Sequence, residues 1–338
     1  MSIGAKLSAV YRRDRHISRL ILMMVVWAAF MAITRFDKFY TLINFQTMAS
    51  QFPEFGLMSL GIMVCMITGG IDLSTVGVAN LVSICAAMLM KGMANEEGEI
   101  AAYVIPLCFV IAIALGAAAG AFNGLLISRI RIPPILATLG TSELFTGIAI
   151  VLTDGKAVSK LPRVYSSTIN SKIFGLIPTQ LVFFAVMALI LWFLLTRTTY
   201  GTKIYMIGTS ARAAEFSGIR MSHLLIKTYM LSGICAALGG MVMLANYNSA
   251  RADYGTVYTL QCVLIVVLGG VNPNGGSGKT SGVVLAICLL QMLQTGLNRF
   301  PQISSYYISL IWGGVLILVM VLNYFTEHNI HLFKPKRS

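Results

Sequence analysis

The stretch Ala102-Tyr-Val-Ile-Pro-Leu-Cys-Phe-Val-Ile-Ala-Ile-Ala-Leu-Gly-Ala-Ala-Ala-Gly-Ala-Phe-Asn-Gly-Leu-Leu-Ile-Ser128 contains no charged residue. A helix that crosses a bilayer needs about 20 mostly apolar residues. This run exceeds that length, and its neighbours on both sides repeat the pattern. Ten such runs are readable, at about 18–34, 54–71, 74–92, 102–128, 134–153, 179–197, 225–247, 257–271, 280–298 and 303–325. The second and eighth are the weakest, so eight to ten spans are expected, some of them short or broken. The fold class is therefore an all-α integral membrane protein. Residues 39–51 are interrupted by polar groups and are expected to lie as an interfacial helix, not a span.

Composition agrees. Of 338 residues, 57% are hydrophobic and 11% are charged, with a mean hydropathy of +0.80. Soluble domains carry roughly 25% charged residues, so most of this surface must face lipid. The spans leave no room for a separate soluble domain, and residues 1–338 read as one transmembrane unit. The net charge of +13 comes mainly from Lys and Arg in short segments beside the spans, where such residues set orientation. No basic-aromatic patch points to nucleic acid. The six cysteines sit inside apolar runs without a CxxC pair, and the four histidines show no ligand spacing. No metal site is expected.

The basic N-terminal segment 1–17 and the tail 326–338, with Lys334, Lys336 and Arg337, both read as cytoplasmic. An even span number satisfies both. Ten spans place Glu96, Glu97 and Glu99 outside and the segment 198–224 inside. The loop 154–178 would then be outside despite Lys156, Lys160, Arg163 and Lys172. No small-x-small cleavage site follows the first apolar run, which is expected to remain as a span.

Four motifs stand out. Gly69-Gly-Ile-Asp-Leu-Ser74 places Asp72 beside a span, where it is expected to cap the following helix or, less favourably, to meet solute. In the segment Gly208–Ile219, Ser210 can cap a two-turn helix through Arg212, Ala213, Ala214 and Glu215, which Gly218 can end. A helix that short must dock on something, either its own spans or a soluble partner. Gly269-Gly-Val-Asn-Pro-Asn-Gly-Gly-Ser-Gly278-Lys279-Thr280 resembles a phosphate loop superficially. Pro273 occupies the first glycine position and no soluble strand precedes it, so no nucleotide site is expected. The glycines Gly69, Gly70, Gly269, Gly270, Gly275, Gly276 and Gly278 mark two corresponding interruptions, at 66–74 and 266–274. These are either broken helices beside a permeation path or ordinary tight turns.

No catalytic set is visible, so no enzymatic role is expected of this chain. The acids read as intramembrane are Glu143 and, at an edge, Asp72. So few ionisable groups argue against an ion-coupled carrier. The candidate path residues are Asp72, Asn80, Asn123, Glu143, Gln291, Gln294 and Asn298, with Asn246 and Tyr306 as further polar positions. Gln291, Gln294 and Asn298 share one helix face. Neutral amides of this kind suit a hydroxyl-rich solute, though each can equally serve as a helix–helix hydrogen bond.

Across residues 20–325 the chain resembles the permease subunits of bacterial ABC importers for ribose and related simple sugars. The resemblance rests on Gly69–Ser74, on Ile132-Pro-Pro-Ile-Leu-Ala-Thr-Leu-Gly-Thr141, on Gly208–Ile219 and on the glycines from Gly269 to Gly282. It implies a multi-pass inner-membrane protein paired with a second permease copy or paralogue. It also implies two cytoplasmic ATPase subunits, which use ATP and Mg that this chain does not bind, and a periplasmic or lipid-anchored sugar-binding protein. The helix near 210–218 would be the coupling helix. Thr75 between Ser74 and Val76, and Asn272-Pro273-Asn274 in the late motif, depart from the usual pattern. They leave the solute open, with autoinducer-2 and nucleosides as alternatives to a simple sugar. A carrier or channel without an ATPase is the remaining rival.

Overall fold

A computed structural model describes residues 15–300 together with Leu310 and Gly314. Apart from those two positions, the expected span 303–325 with Tyr306 lies outside the described residues. The tail 326–338 and most of the segment 1–17 lie outside them too.

Long helices alternate in direction: α1 (Arg15–Phe39), α2 (Leu42–Ile67), α3 (Thr75–Gly92), α4 (Val104–Ser128) and α5 (Pro134–Thr153). A small irregular segment follows, with β1 (Val158–Ser159), α6 (Arg163–Ile169), β2 (Lys172–Ile173) and β3 (Ile177–Pro178). Then come α7 (Thr179–Arg197), α8 (Thr199–Thr209), α9 (Ala211–Phe216), α10 (Met221–Tyr247), β4 (Ser249–Ala250), α11 (Tyr258–Leu268) and α12 (Thr280–Leu297). The sheet content is two antiparallel pairs, β1 with β4 and β2 with β3. Among the described residues, eight helices are long and apolar enough to span a membrane.

The uncharged stretch 102–128 contains α4, which also shows how the bundle is packed. Gly116, Gly120 and Gly124 form one stripe, and the backbone of α10 lies against it at Gly233, Tyr229 and Ile226. A side chain at any of the three would strike that backbone. Without a hydrophobic drive between helices in lipid, such small-residue stripes supply the packing. α10 is the central helix and also packs on α2 and α3. α2 and α10 are the most enclosed, whereas α1, α4, α5 and α7 are the least buried. Exposed side chains such as Val110, Val151 and Leu189 are what a lipid-facing surface requires.

Two expected boundaries are corrected. Residues 39–51 are not an interfacial helix. Thr41 accepts from the Asn44 amide at 3.2 Å, and one 26-residue helix runs on through Pro53 to Ile67. Two of its early polar residues are buried: Asn44 donates to the Phe39 carbonyl and Gln46 to the Gly175 and Leu176 carbonyls. The run near 257–271 contains only the 11-residue helix α11. At about 1.5 Å per residue that is half of a ~30 Å hydrocarbon core. Residues 251–257 before it are unwound, and Asn80 of α3 donates its amide to the Ala252 and Tyr254 carbonyls, both at 2.8 Å. Irregular backbone at such a position is tolerated where protein satisfies it. Asn80 is therefore a brace for a broken helix.

The related segments at 66–74 and 266–274 end their helices in the same way. Gly69 (φ 85°) and Gly270 (φ 84°) take up the left-handed conformation that glycine adopts without steric cost. The next amide then reaches back: Gly70 to the Cys65 carbonyl at 3.3 Å and Val271 to the Val266 carbonyl at 3.2 Å. These are Schellman-type ends.

Candidate functional site

Two sites lie at opposite ends of the bundle. At the first, the sequence motifs converge. The Gly276 amide donates to the Ile67 carbonyl at 2.9 Å, which joins the loop after the second turn to the first turn. Gly208, near the end of α8, fits between them. A Cβ there would run into the Ile67 carbonyl and the Gly276 amide, and one at Gly275 would meet the Gly69 amide at 2.7 Å. Tyr205 donates to the Gly278 carbonyl at 2.7 Å. So the segment from α8 rests on the first glycine turn and on the loop after the second, and these two rest on each other.

α9 projects from this junction. Ser210 accepts from the Ala213 amide at 3.3 Å, the cap that the sequence suggests, and Gly218 (φ 76°) follows the helix. Ala214 is its one buried residue. Arg212, Ala213, Glu215 and Gly218 face outward, Ile219 is half-buried, and Phe216 is 92% exposed. A groove of about 540 Å³ runs beside it, lined by Leu195, Tyr205, Met206 and Ala213 among others. A phenyl ring this bare at the tip of a two-turn helix is a feature with no partner within the described residues.

Near this junction, Asp72 is 1% exposed. Its Oδ1 accepts from the Ser74 amide at 3.0 Å and the Ser74 hydroxyl at 2.6 Å. Its Oδ2 accepts from Ser232 of α10 at 2.7 Å. Asn123 donates to Ser74 at 2.7 Å. The carboxylate, not the Ser74 side chain, holds the start of α3. Asp72 and Asn123 thus knot α3, α4 and α10 together.

The second site is a cavity of about 480 Å³ at the far end, between α2, α10, α11, α12 and the segment before α7. Gln291, Gln294 and Asn298 all line it, as their shared face suggests. Glu143 does not: it is exposed on the outer face of α5, away from this cavity. The acid in the cavity is Glu54, which stands at the edge of the run read at 54–71 and is not among the acids expected inside the membrane. It is 5% exposed. Tyr258 donates to its Oε1, and Asn246 to its Oε2 at 3.0 Å. Tyr247 lies 3.3 Å from the same Oε1 and 3.1 Å from the Tyr258 hydroxyl. Lys172, Gln46 and Gln180 also line the space. A signal was present: Thr47, Ser50, Gln51 and Glu54 repeat at helical spacing and so share one polar face.

The chain is similar to a known family along most of its length. The family described as branched-chain amino acid transport system / permease component matches residues 44–320. The autoinducer 2 import system permease protein LsrD of Photorhabdus luminescens is 34% identical over 278 residues, covering 80% of both chains. LsrD of Salmonella typhimurium (strain LT2) is 32% identical over 278 residues, again 80% of each. That of Yersinia pseudotuberculosis is 33% identical over 281 residues, with the same coverage. No solved structure matches.

Proposed function

The chain belongs to the branched-chain amino acid transport system / permease component family, and from that premise we propose that it is the membrane subunit of an ATP-driven importer for a small polyhydroxylated solute of the autoinducer-2 kind. It works as a multi-pass protein of a bacterial inner membrane. The relatives' names favour autoinducer-2 over the ribose-type pentose or hexose that the motifs suggest. None of those three relatives is named for a nucleoside. The chain has a transport role, not a catalytic one. It pairs with a second permease copy or paralogue and receives solute from an extracytoplasmic binding protein. Two cytoplasmic ATPase subunits bind ATP and Mg.

The observation that carries this reading is the junction beneath α9. A soluble partner that grips α9 and the exposed Phe216 pulls on α8. Through Gly208, that pull reaches the end of α2 and the glycine loop between α11 and α12. Packed junctions with no slack transmit displacement rather than absorb it. ATP-driven movement of the partner thus becomes movement of the helices around the solute. In this scheme α9 is the coupling helix and its end of the bundle is cytoplasmic.

The test reconstitutes the chain with its ATPase and binding protein in proteoliposomes. Ala213→Arg or Gly218→Trp should leave ATP hydrolysis running while uptake stops. Normal uptake in both variants would remove the coupling assignment. Uptake by this chain alone under an ion gradient would replace the importer reading with that of a carrier.

A further inference from the structure

We infer that the cavity around Glu54 is a solute-binding site inside one protomer, built for a neutral polyhydroxylated molecule. It rests on the permease reading for its purpose but on its own geometry for its chemistry.

Its size suits a small ligand: about 480 Å³, within the roughly 300–1,000 Å³ common for small-molecule pockets. Its polar groups are fixed in place yet incompletely used. The Tyr247 hydroxyl has one proton to share between Glu54 and Tyr258, so the Glu54 carboxyl retains acceptor capacity. The Oε1 atoms of Gln180 and Gln294 are buried with no hydrogen-bond partner, and both side chains line the cavity. Gln180 is 1% exposed. Buried amide oxygens are normally satisfied, and an orphan in the wall of a cavity calls for a donor from what fills it. Lys172 supplies the opposite polarity. Its ammonium donates to Gln46 at 2.6 Å and keeps further protons.

The cavity therefore presents acceptors and donors together, with one acid and one base among its lining residues. Hydroxyl groups both donate and accept, so a polyol satisfies such a wall without importing charge. Phe55 and Tyr258, whose ring centroids are 5.8 Å apart, add an apolar patch for C–H faces. A cation would leave Lys172 opposed, and an anion would oppose Glu54. A zwitterion is the rival that charge alone permits, but its single ammonium would have to serve Glu54 and the oxygens of both Gln180 and Gln294, whereas a polyol offers a separate hydroxyl to each.

The test uses the full chain in lipid nanodiscs, without ATPase or binding protein, and follows thermal unfolding against D-ribose, D-galactose, mannitol and glycerol, with leucine and choline as zwitterionic and cationic controls. At least one polyol should raise the melting temperature in a saturable way. Glu54→Gln and Gln294→Leu should each weaken that effect by roughly tenfold or more. The Gln294 Oε1 makes no hydrogen bond that its loss would break, so its variant separates binding from folding. A shift by none of the polyols, or one unchanged in both variants, overturns the site. A shift with leucine alone overturns the ligand class. Polyol binding that survives when ATP-driven uptake cannot be shown would sink the importer reading and leave the cavity standing.

Discussion

Asp72 illustrates why a buried charge in this chain is structural at one position and open for binding at another. Its two oxygens are taken up by Ser74 and Ser232, and it lines neither the cavity nor the groove beside α9. Asp72→Ala leaves the Ser74 amide without an acceptor, and an orphaned buried donor costs about 1–3 kcal/mol. The purified protein should melt lower, with Asp72→Asn losing less because the amide oxygen still accepts. Equal melting of all three proteins would show that the knot is dispensable. Glu54 has the same side-chain chemistry and comparable burial, yet keeps acceptor capacity toward a cavity. Neither role could be read from residue type. What separates them is which helices close around each carboxylate, and sequence spacing within one helix does not report that.

At the scale of the element, the glycine turns make a sharper forecast. Gly69 and Gly270 each hold a left-handed φ, so alanine at either costs about 1–2 kcal/mol. The loop that follows Gly270 touches the first turn, through Asn274 and Gly275 at Gly69 and through the Gly276 amide at the Ile67 carbonyl. The double variant Gly69→Ala/Gly270→Ala should therefore depart from additivity; strictly additive melting shifts would mean the turns act independently. Phe216→Ala should leave stability almost untouched, because the ring is 92% exposed. In a pull-down on nanodisc-embedded chain it should lower ATPase retention about tenfold, as loss of an aromatic anchor does; unchanged retention would take Phe216 out of the contact. Much of this end was legible. Gly208, Ser210, Gly218 and the paired glycines are local motifs whose backbone demands show in residue type. The start of α2 was not, because Asn44, Gln46 and Gln51 look like an interfacial break when polarity is counted along the chain. Asn44 and Gln46 are buried against neighbouring segments and Gln51 faces the cavity, so all three are compatible with a spanning helix. The cavity was half legible for the same reason: the face Gln291, Gln294 and Asn298 repeats within one helix. Its partners Glu54, Lys172, Gln180 and Tyr258 come from four other segments.

The whole molecule has two unlike ends, and their charge supports the orientation proposed for them. Arg129, Arg131, Arg197, Lys203, Arg212, Arg220 and Lys227 gather at the α9 end. Glu96, Glu97 and Glu99 lie at the cavity end, but so do Arg35, Lys38, Lys91, Arg251 and Arg299, with the basic residues of 154–178 as the largest exception. The bias of short loops toward Lys and Arg on the cytoplasmic side favours the proposal that α9 is inside and the Glu54 cavity outside, where a binding protein would load it. The exception carries less weight than its count suggests. Lys172 is held at Gln46, Lys156, Lys160 and Arg163 sit in a folded segment pinned through β1 to β4, and the rule is statistical. Single cysteines placed at Glu97, Lys156 and Ser217 in a background lacking the six native cysteines decide it. An impermeant maleimide should label the first two in intact cells and Ser217→Cys only after the membrane is opened. Labelling of Lys156→Cys only from inside would mean that the segment 154–178 has the opposite orientation. The cavity, which that segment helps to line through Lys172 and Pro178, would then open toward the cytoplasm as a release site, not a loading site.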